Sequence, residues 1–474
     1  MPSCLKAALA ALAVLLLCAA PARAASSLDV GIADDRVLLQ GSDAQVAEAA
    51  DEFARLGIDV VRIVARWGSH VPQPESRTRP EGFDPSDPTS TGYRWQFLDR
   101  AVDAVRSRGM RVVLSVTGSG PVWATQDPSK DNPRLKPVPR RFAEFATAVA
   151  RHLGARVDQY VVWNEPNLPL WLQPQSTCRR GRCIPYAPHL YRRLFNAAAP
   201  AIRAADPGAD VLAGALAPRG ENARSSNAKL RPLAFLRAMG CVDSRWRRVR
   251  SGLCAGFSPV EAEGLAHHPH STLAAPTGRS RHPDDAQMGD LGRLTTAVDR
   301  IQRAGGLRVR GASRMPLYLT EYGYQTRPPD VFAGVSLSQQ STWLQQGSYV
   351  AWRHPRVRML VQYVWRDEPL SRGGAGWQSG LRRSDGRAKP ALSTFDVPFW
   401  AERRDRRSVR VWGQVRPGAD SEVRIERASR GNWVRVATLR TTARGFYDKT
   451  FRVSSSSRWR ARTEAGITST RAVR

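Results

Sequence analysis

The chain of 474 residues carries 72 basic against 42 acidic side chains, a formal net charge of +30. With 42% hydrophobic residues and 14 Trp it can bury a sizeable core, which excludes a wholly disordered chain. Only six of the basic residues are Lys, and such an Arg excess speaks to solubility and to attraction for anionic polymers, acidic polysaccharide or the bacterial wall among them, not to fold.

Residues 1–24 hold Lys6, an apolar run from Ala7 to Ala20 and a closing Ala22-Arg23-Ala24. That order reads as a secretory signal cleaved after Ala24, and loss of Lys6 and Arg23 leaves +28. The run is short for a membrane span and no later one reaches about 20 apolar residues, so no integral membrane segment is expected. Cys18 raises the question of a lipid anchor, against which stands the bulky Leu17 before it. An exported chain without a recognisable nucleic-acid motif is not expected to bind nucleic acid.

An opening strand is expected near Leu28–Leu39. Further β-branched runs begin near Ile58, Met110, Val157, Asp210, Val260, Pro316 and Val357. Between them lie stripes at helical spacing. Val46, Ala50, Phe53 and Leu56 follow Ser42 as cap; Leu98, Val102 and Val105 come next; then Phe142, Phe145, Val149 and Leu153. Leu190, Leu194, Ala198 and Ile202 repeat the pattern, as do Leu291, Leu294, Val298 and Ile301, and a last helix is expected over Leu337–Trp352. About eight strand-then-helix units predict an α/β fold, a (β/α)8 TIM barrel over residues 25–400. A doubly wound open sheet is the competitor, but no Gly-rich phosphate loop follows the first strand.

Residues 401–474 lack a helical stripe. They alternate over Val409–Val415, Glu422–Glu426, Trp433–Leu439, Phe446–Val453 and Trp459–Thr463, which predicts a small C-terminal antiparallel β-sandwich. This module holds 19 basic and seven acidic residues, a net +12. Its Trp412, Trp433 and Trp459 admit two readings, a binding surface for carbohydrate or the anionic wall, or core. Cys4 and Cys18 fall in the signal, leaving Cys178, Cys183, Cys241 and Cys254. An even count in an exported chain favours disulfides, with Cys178–Cys183 and Cys241–Cys254 ahead of the other connectivities and of a zinc site. The first pair would present Arg179, Arg180 and Arg182 at the barrel mouth, either as a preference for acidic sugars or as an ordinary solvated loop. The second, leading from a helix to strand six, would lie on the opposite, stabilising face.

In such a barrel, reactive groups sit at the carboxyl ends of the strands. Strand four ends in Trp163-Asn164-Glu165-Pro166-Asn167, and strand seven in Thr320-Glu321-Tyr322-Gly323. An acid placed after an apolar strand is costly to bury unless it faces a polar mouth or has partners. One such Glu alone would be an ordinary Arg-paired residue. Two at one mouth fit glycosidic cleavage, in which one carboxyl protonates the leaving oxygen and the other supports charge at the sugar carbon.

Trp163-Asn164-Glu165-Pro166-Asn167 and Thr320-Glu321-Tyr322-Gly323 resemble the signatures of clan A glycoside hydrolases, nearest to family 39 and family 5-like members. Weaker matches are Arg62 and Trp67 after strand two, Pro121-Val122-Trp123-Ala124 after strand three, Trp365 after strand eight and the closing Gly380-Leu381, Asp385-Gly386 and Lys389-Pro390-Ala391. The resemblance covers roughly residues 28–400. It implies a (β/α)8 barrel and a retaining mechanism without metal or organic cofactor, acting on a polysaccharide or oligosaccharide. By position, Glu165 would be the acid/base and Glu321 the nucleophile, kept ionised by Arg62. Asn164 would hold the sugar 2-hydroxyl, His268 would hydrogen-bond near the nucleophile, and Trp365, with Trp67, would contact the sugar. Relatives commonly show His-Pro-Tyr at strand six, where this chain has His268-Pro269-His270. His267, His268 and His270 could also be read as metal ligands, a weaker reading without a patterned carboxylate. A non-catalytic sugar-binding barrel and a transglycosylase are the alternatives to hydrolysis.

Overall fold

Eight strands, each rich in residues buried on both faces, pair in parallel and close on themselves, as strands covered on both sides do. They are β1 (Asp29–Ala33), β2 (Val60–Arg66), β3 (Arg111–Thr117), β4 (Gln159–Val162), β5 (Asp210–Leu216), β6 (Gly264–His267), β7 (Leu317–Tyr322) and β8 (Val357–Tyr363). The computed structural model describes residues 28–370 and 376–473. The expected signal, residues 1–24, lies outside them. Around the barrel run α1 (Asp43–Arg55), α2 (Gln96–Arg106), α3 (Pro139–Leu153), α4 (Ala187–Ala205), α5 (Pro232–Met239), α6 (Leu291–Arg303) and α7 (Leu337–Arg353). Ser42 and Ser336 start α1 and α7 with reciprocal capping boxes to Gln45 and Gln339. Val46, Ala50 and Phe53 turn inward from α1, as the stripe requires.

Three local readings are corrected. The opening strand stops at Ala33, because the Asp34 carboxylate accepts the Val37 amide hydrogen at 3.1 Å and starts a short helix, Asp35–Gln40. The apolar Val37 and Leu38 are thus buried from a helix and not from a strand. The run at Val260 does not enter the barrel; Val260–Ala262 pairs outside it with Leu307–Val309, and the sixth barrel strand is β6. After β8 the described residues hold a single 3-10 turn, Leu392–Thr394, before the chain leaves for the C-terminal module.

That module consists of β9 (Phe399–Asp405), β10 (Ser408–Gln414), β11 (Glu422–Ser429), β12 (Asn432–Arg440), β13 (Phe446–Arg452) and β14 (Ser457–Thr463). They form two antiparallel sheets, β9-β10-β13 and β12-β11-β14, the second extended by two short strands. Val409, Val411, Val423, Ile425, Tyr447 and Trp459 fill the space between them. Trp412 packs on Tyr349 and Trp352 of α7 at 5.5 and 5.6 Å. Trp412 and Trp459 are therefore core, while Trp433 is half-buried beneath the guanidinium of Arg460 at 4.1 Å. Both expected disulfides form. Cys178–Cys183 bridges a hairpin, and Cys241–Cys254 ties the connection between α5 and β6. Among the described residues no helix is long and apolar enough to cross a membrane.

Candidate active site

Side chains on a strand alternate between faces, so residues two apart share one. Inside the barrel, Ala33, Val60, Val113, Ala266 and Val361 belong to one buried apolar layer. Two residues on from each stand Asp35, Arg62, Ser115, His268 and Tyr363, and here the lining turns polar. The carboxyl end of the barrel is thus a polar floor laid on an apolar plug. Above it opens a cavity of about 1070 Å³, lined by Arg62, Asn164, Glu321, Tyr363, Trp171 and Asp35 among others.

The two glutamates reach this floor through local departures from regular strand. Trp163 and Glu165 adopt left-handed backbone angles, φ 72° and 37°. Such angles cost on the order of 1–3 kcal/mol each for residues with a Cβ. The turn they make is held by the Glu165 amide donating to the Ala215 carbonyl at 2.9 Å and by the Asn164 amide donating to Thr117 Oγ1 at 2.9 Å. Asn167 bonds the carbonyls of Ala217 and Leu230 beneath it. In β7, alternation from the inward Tyr318 would point Thr320 at the centre. The pairing of β7 with β8 shifts register between Leu319 and Tyr322, and Glu321 is the residue that lines the cavity.

Arg62, 1% exposed, organises the floor. Its guanidinium meets Glu321 Oε1 at 2.9 Å, donates to Asn164 Oδ1 at 2.7 Å and to Ser115 Oγ at 3.0 Å. With its oxygen held by Arg62, Asn164 keeps its amide hydrogens for a ligand. His268 Nδ1 lies 3.1 Å from Glu165 Oε1 and 3.4 Å from Glu321 Oε2. His270 Nε2 approaches the same Glu321 oxygen at 3.5 Å. One oxygen of each glutamate and a His268 nitrogen all lie within 4.8 Å of one another. The three histidines, metal ligands on the weaker reading, do not face one point: His267 bonds the Ala286 carbonyl at 2.6 Å, while His268 and His270 both face Glu321, the His270 ring tilting on Trp377 at 5.4 Å.

The environments of the two carboxyls differ in sign. Burial pushes Glu165 up, and its weaker attraction to His270 and Arg62 does not offset that. Burial also acts to raise Glu321, but His268, Arg62 and the His270 contact outweigh it and hold that carboxyl below its ordinary value. Burial drives the His268 imidazole well down, against the pull of Glu321. Asp35, hydrogen-bonded by the Val64 amide at 2.8 Å, is pushed up to about 6, chiefly by burial. A carboxyl pushed up beside one held down is the division of labour that acid-assisted displacement calls for.

Of the residues expected from sequence, Glu165, Glu321, Asn164, Arg62 and His268 meet in this one place. Trp67 and Trp365 do not. Both rings are 0% exposed. Trp67 packs among Trp123, Phe142 and Phe145, and Trp365 sits edge-on against Phe53 at 5.7 Å with Arg366 over it. Burying an indole among helices removes more apolar area than exposing it at the mouth, and the aromatic walls fall instead to Trp171, Tyr363 and Phe97. Arg179, Arg180 and Arg182 are exposed on their hairpin and line no part of the cavity.

Residues 33–232 match the family model of the cellulases (glycosyl hydrolase family 5), a stretch from β1 through the start of α5 that contains Arg62, Asn164 and Glu165. No curated protein matches the chain. Among solved structures, a family 39 glycoside hydrolase from the gut symbiont Bacteroides cellulosilyticus WH2 superposes with a TM-score of 0.51 at 13% identity, over 90% of this chain and 81% of that one. A GH5_18 protein from Streptomyces cattleya, solved in complex with GlcNAc, gives 0.48 at 17% identity over 77% and 78%. Xylanase 10B from Thermotoga petrophila RKU-1 gives 0.42 at 15% identity over 77% and 92%.

Proposed function

We propose that this chain, a glycoside hydrolase on a clan A-type barrel, is exported and cleaves O-glycosidic bonds of a polysaccharide or oligosaccharide by double displacement with retention. The observation that carries the reading is the carboxyl spacing: oxygens of Glu165 and Glu321 within 4.8 Å suit direct attack. Retaining enzymes place the two groups about 5–5.5 Å apart, whereas inverting ones leave about 6.5–9.5 Å for a water. The opposed ionisation of the pair agrees with it.

In the first step Glu321 attacks the anomeric carbon while Glu165 gives its proton to the departing oxygen. The bond to the leaving group breaks and a glycosyl ester on Glu321 forms. In the second, Glu165, now ionised, takes a proton from water, whose oxygen attacks the same carbon and releases Glu321. Arg62 steadies the carboxylate of Glu321 before attack and after release. The free amide of Asn164 donates to the sugar 2-hydroxyl, and His268 Nδ1, at 3.1 and 3.4 Å from Glu165 and Glu321, keeps both carboxyls oriented. Two disulfides suit an oxidising compartment, as the signal-like residues 1–24 do.

Proton NMR of the first-formed product tests this. The sugar released at early times is expected in the anomeric configuration of the substrate, and Glu321→Gln is expected to lose at least about a thousandfold in kcat. Release of the opposite anomer would overturn retention, and full activity of Glu321→Gln would remove the nucleophile.

A further inference from the structure

Alternate residues of β2, Arg62, Val64 and Arg66, climb one wall of the cavity, and Arg36 and Arg94 join them from the segments that follow β1 and β2. Arg62 is neutralised by Glu321. The other three have no carboxylate partner among the described residues. Arg94 donates to the Val71 carbonyl at 2.8 Å and Arg36 to the Asp367 carbonyl at 3.4 Å. Arg36 Nε is buried with no hydrogen-bond partner among the described residues. Arg66 lies over the ring of Trp171 at 5.4 Å. Carbonyls and a ring fix these guanidinium groups without cancelling their charge. Just outside the cavity the pattern differs, since Arg366 pairs with Glu48 at 3.6 Å and Arg382 with Glu52 at 2.7 Å. Besides Glu321, two acids share the lining. Burial raises Asp35 to about 6, which reduces its negative charge in mild acid, and Glu368 accepts the Trp377 amide hydrogen at 2.9 Å.

Resting on the glycosidase reading, we propose that Arg36, Arg66 and Arg94 form a subsite for an anionic sugar, so that the substrate is a glycan bearing carboxylate or sulfate next to the bond cleaved. The planar guanidinium matches either group with two parallel hydrogen bonds. The Trp171 face, with Arg66 already seated on it, places that charge beside a ring on which a sugar can lie. The exposed Arg hairpin plays no part in this subsite.

The test uses the full chain and paired probes: polyuronates of the glucuronic, galacturonic and mannuronic series, each beside its carboxyl-reduced neutral form, and sulfated neutral glycans. Wild type is expected to favour the charged member of a pair by at least about tenfold in kcat/KM, the size of one charge-assisted hydrogen bond. That preference is expected to shrink by a similar factor in Arg66→Ala and Arg94→Ala and as salt is raised, and Arg66→Lys should restore part of it. Uronate or sulfate as the preferred arm names the source of the charge. Equal or better cleavage of the neutral partner, or variants that slow both members alike, would overturn the subsite and leave the glycosidase standing. Should wild type cleave nothing, calorimetry with the same polymers separates the two. Salt-sensitive binding lost in Arg66→Ala keeps the subsite and rejects the hydrolase; no binding rejects the subsite.

Discussion

At the scale of single residues the site turns on Arg62, a cation removed from water on three sides and returned its hydrogen bonds by Ser115, Asn164 and Glu321. Removing one member of a buried ion pair costs about 3–5 kcal/mol, because the partner charge is left bare. Arg62→Met should therefore lower kcat/KM by at least about a hundredfold, and it should also move the acidic limb of the pH profile. The sign follows from Glu321. The proposed mechanism needs that carboxyl ionised, so the rate should fall as pH drops through its lowered pKa, and on the alkaline side it should fall as Glu165 gives up the proton that burial helps it keep. Without Arg62 the Glu321 carboxyl is harder to ionise and the acidic limb shifts to higher pH, narrowing the bell. A profile from pH 3 to 9 that only drops in height, with both limbs in place, would reduce Arg62 to scaffolding. The two glutamates were legible in sequence because each follows an apolar strand, a position that demands a reason. Asp35 and Tyr363 were not, since their role depends on standing two residues beyond Ala33 and Val361 in a barrel whose register only folding sets. Trp67 and Trp365 show the converse, for a Trp beside a motif reads the same whether it faces a sugar or three helices.

Among the elements, the helices were the most readable part, because a stripe of apolar residues at helical spacing has one way to be buried. The run at Leu28–Leu39 fits helix or strand equally, and a single side chain, the Asp34 cap, decides it. The run at Val260 is a strand, as expected, but one that pairs outside the barrel, which local sequence does not encode. The connection from α5 to β6 shows what holds an irregular element. Residues 240–258 contain no strand and only one 3-10 turn. They are fastened by Cys241–Cys254 and by the buried Arg192, which donates to the Met239 and Leu253 carbonyls at 2.9 and 3.1 Å. Closing a loop of about 15 residues stabilises by about 3 kcal/mol in the chain-entropy view. Cys241→Ser with Cys254→Ser should accordingly lower the melting temperature by several degrees while leaving kcat near the wild-type value, as the segment lies at the foot of the barrel, away from the cavity. Cys178→Ser with Cys183→Ser closes a smaller, exposed hairpin and should shift melting much less. Calorimetry of the two double variants ranks them; the reverse order would mean that the hairpin, not the foot of the barrel, carries the strain of unfolding.

Taken as a whole, the molecule is a barrel whose C-terminal module packs along α7 and against the foot of β1 and β2. Arg444 reaches from the module to Asp29 and Asp59 at the foot of β1 and β2, at 2.7 and 2.8 Å. Tyr349 and Arg353 of α7 both bond Glu402 of β9 at 2.6 Å, and Trp412 with Phe446 extends the aromatic layer begun by Tyr349 and Trp352. Composition alone marked this region as strongly basic and left open whether it binds a wall or completes the fold. Pairing answers part of that, because Arg410, Arg440 and Arg460 spend their charge on Asp448, Asp420 and Glu426. Trp412 is 1% exposed, and truncating a buried Trp costs about 3–5 kcal/mol from lost burial and the cavity left behind. A chain ending at residue 398 loses that ring, Phe446, Glu402 and Arg444 together. It also exposes Tyr349 and Trp352 to water and leaves Asp29 and Asp59 without their shared cation. Such a truncation should be insoluble or should melt at least about 10 °C lower, and activity should be lost with the fold and not before it. Trp412→Ala in the full chain should show a smaller drop in the same direction, with KM unchanged because the module stands at the end of the barrel opposite the cavity. A truncated barrel that melts like wild type but binds polymeric glycan more weakly would reverse the assignment, making the module a binding domain that the barrel does not need in order to fold.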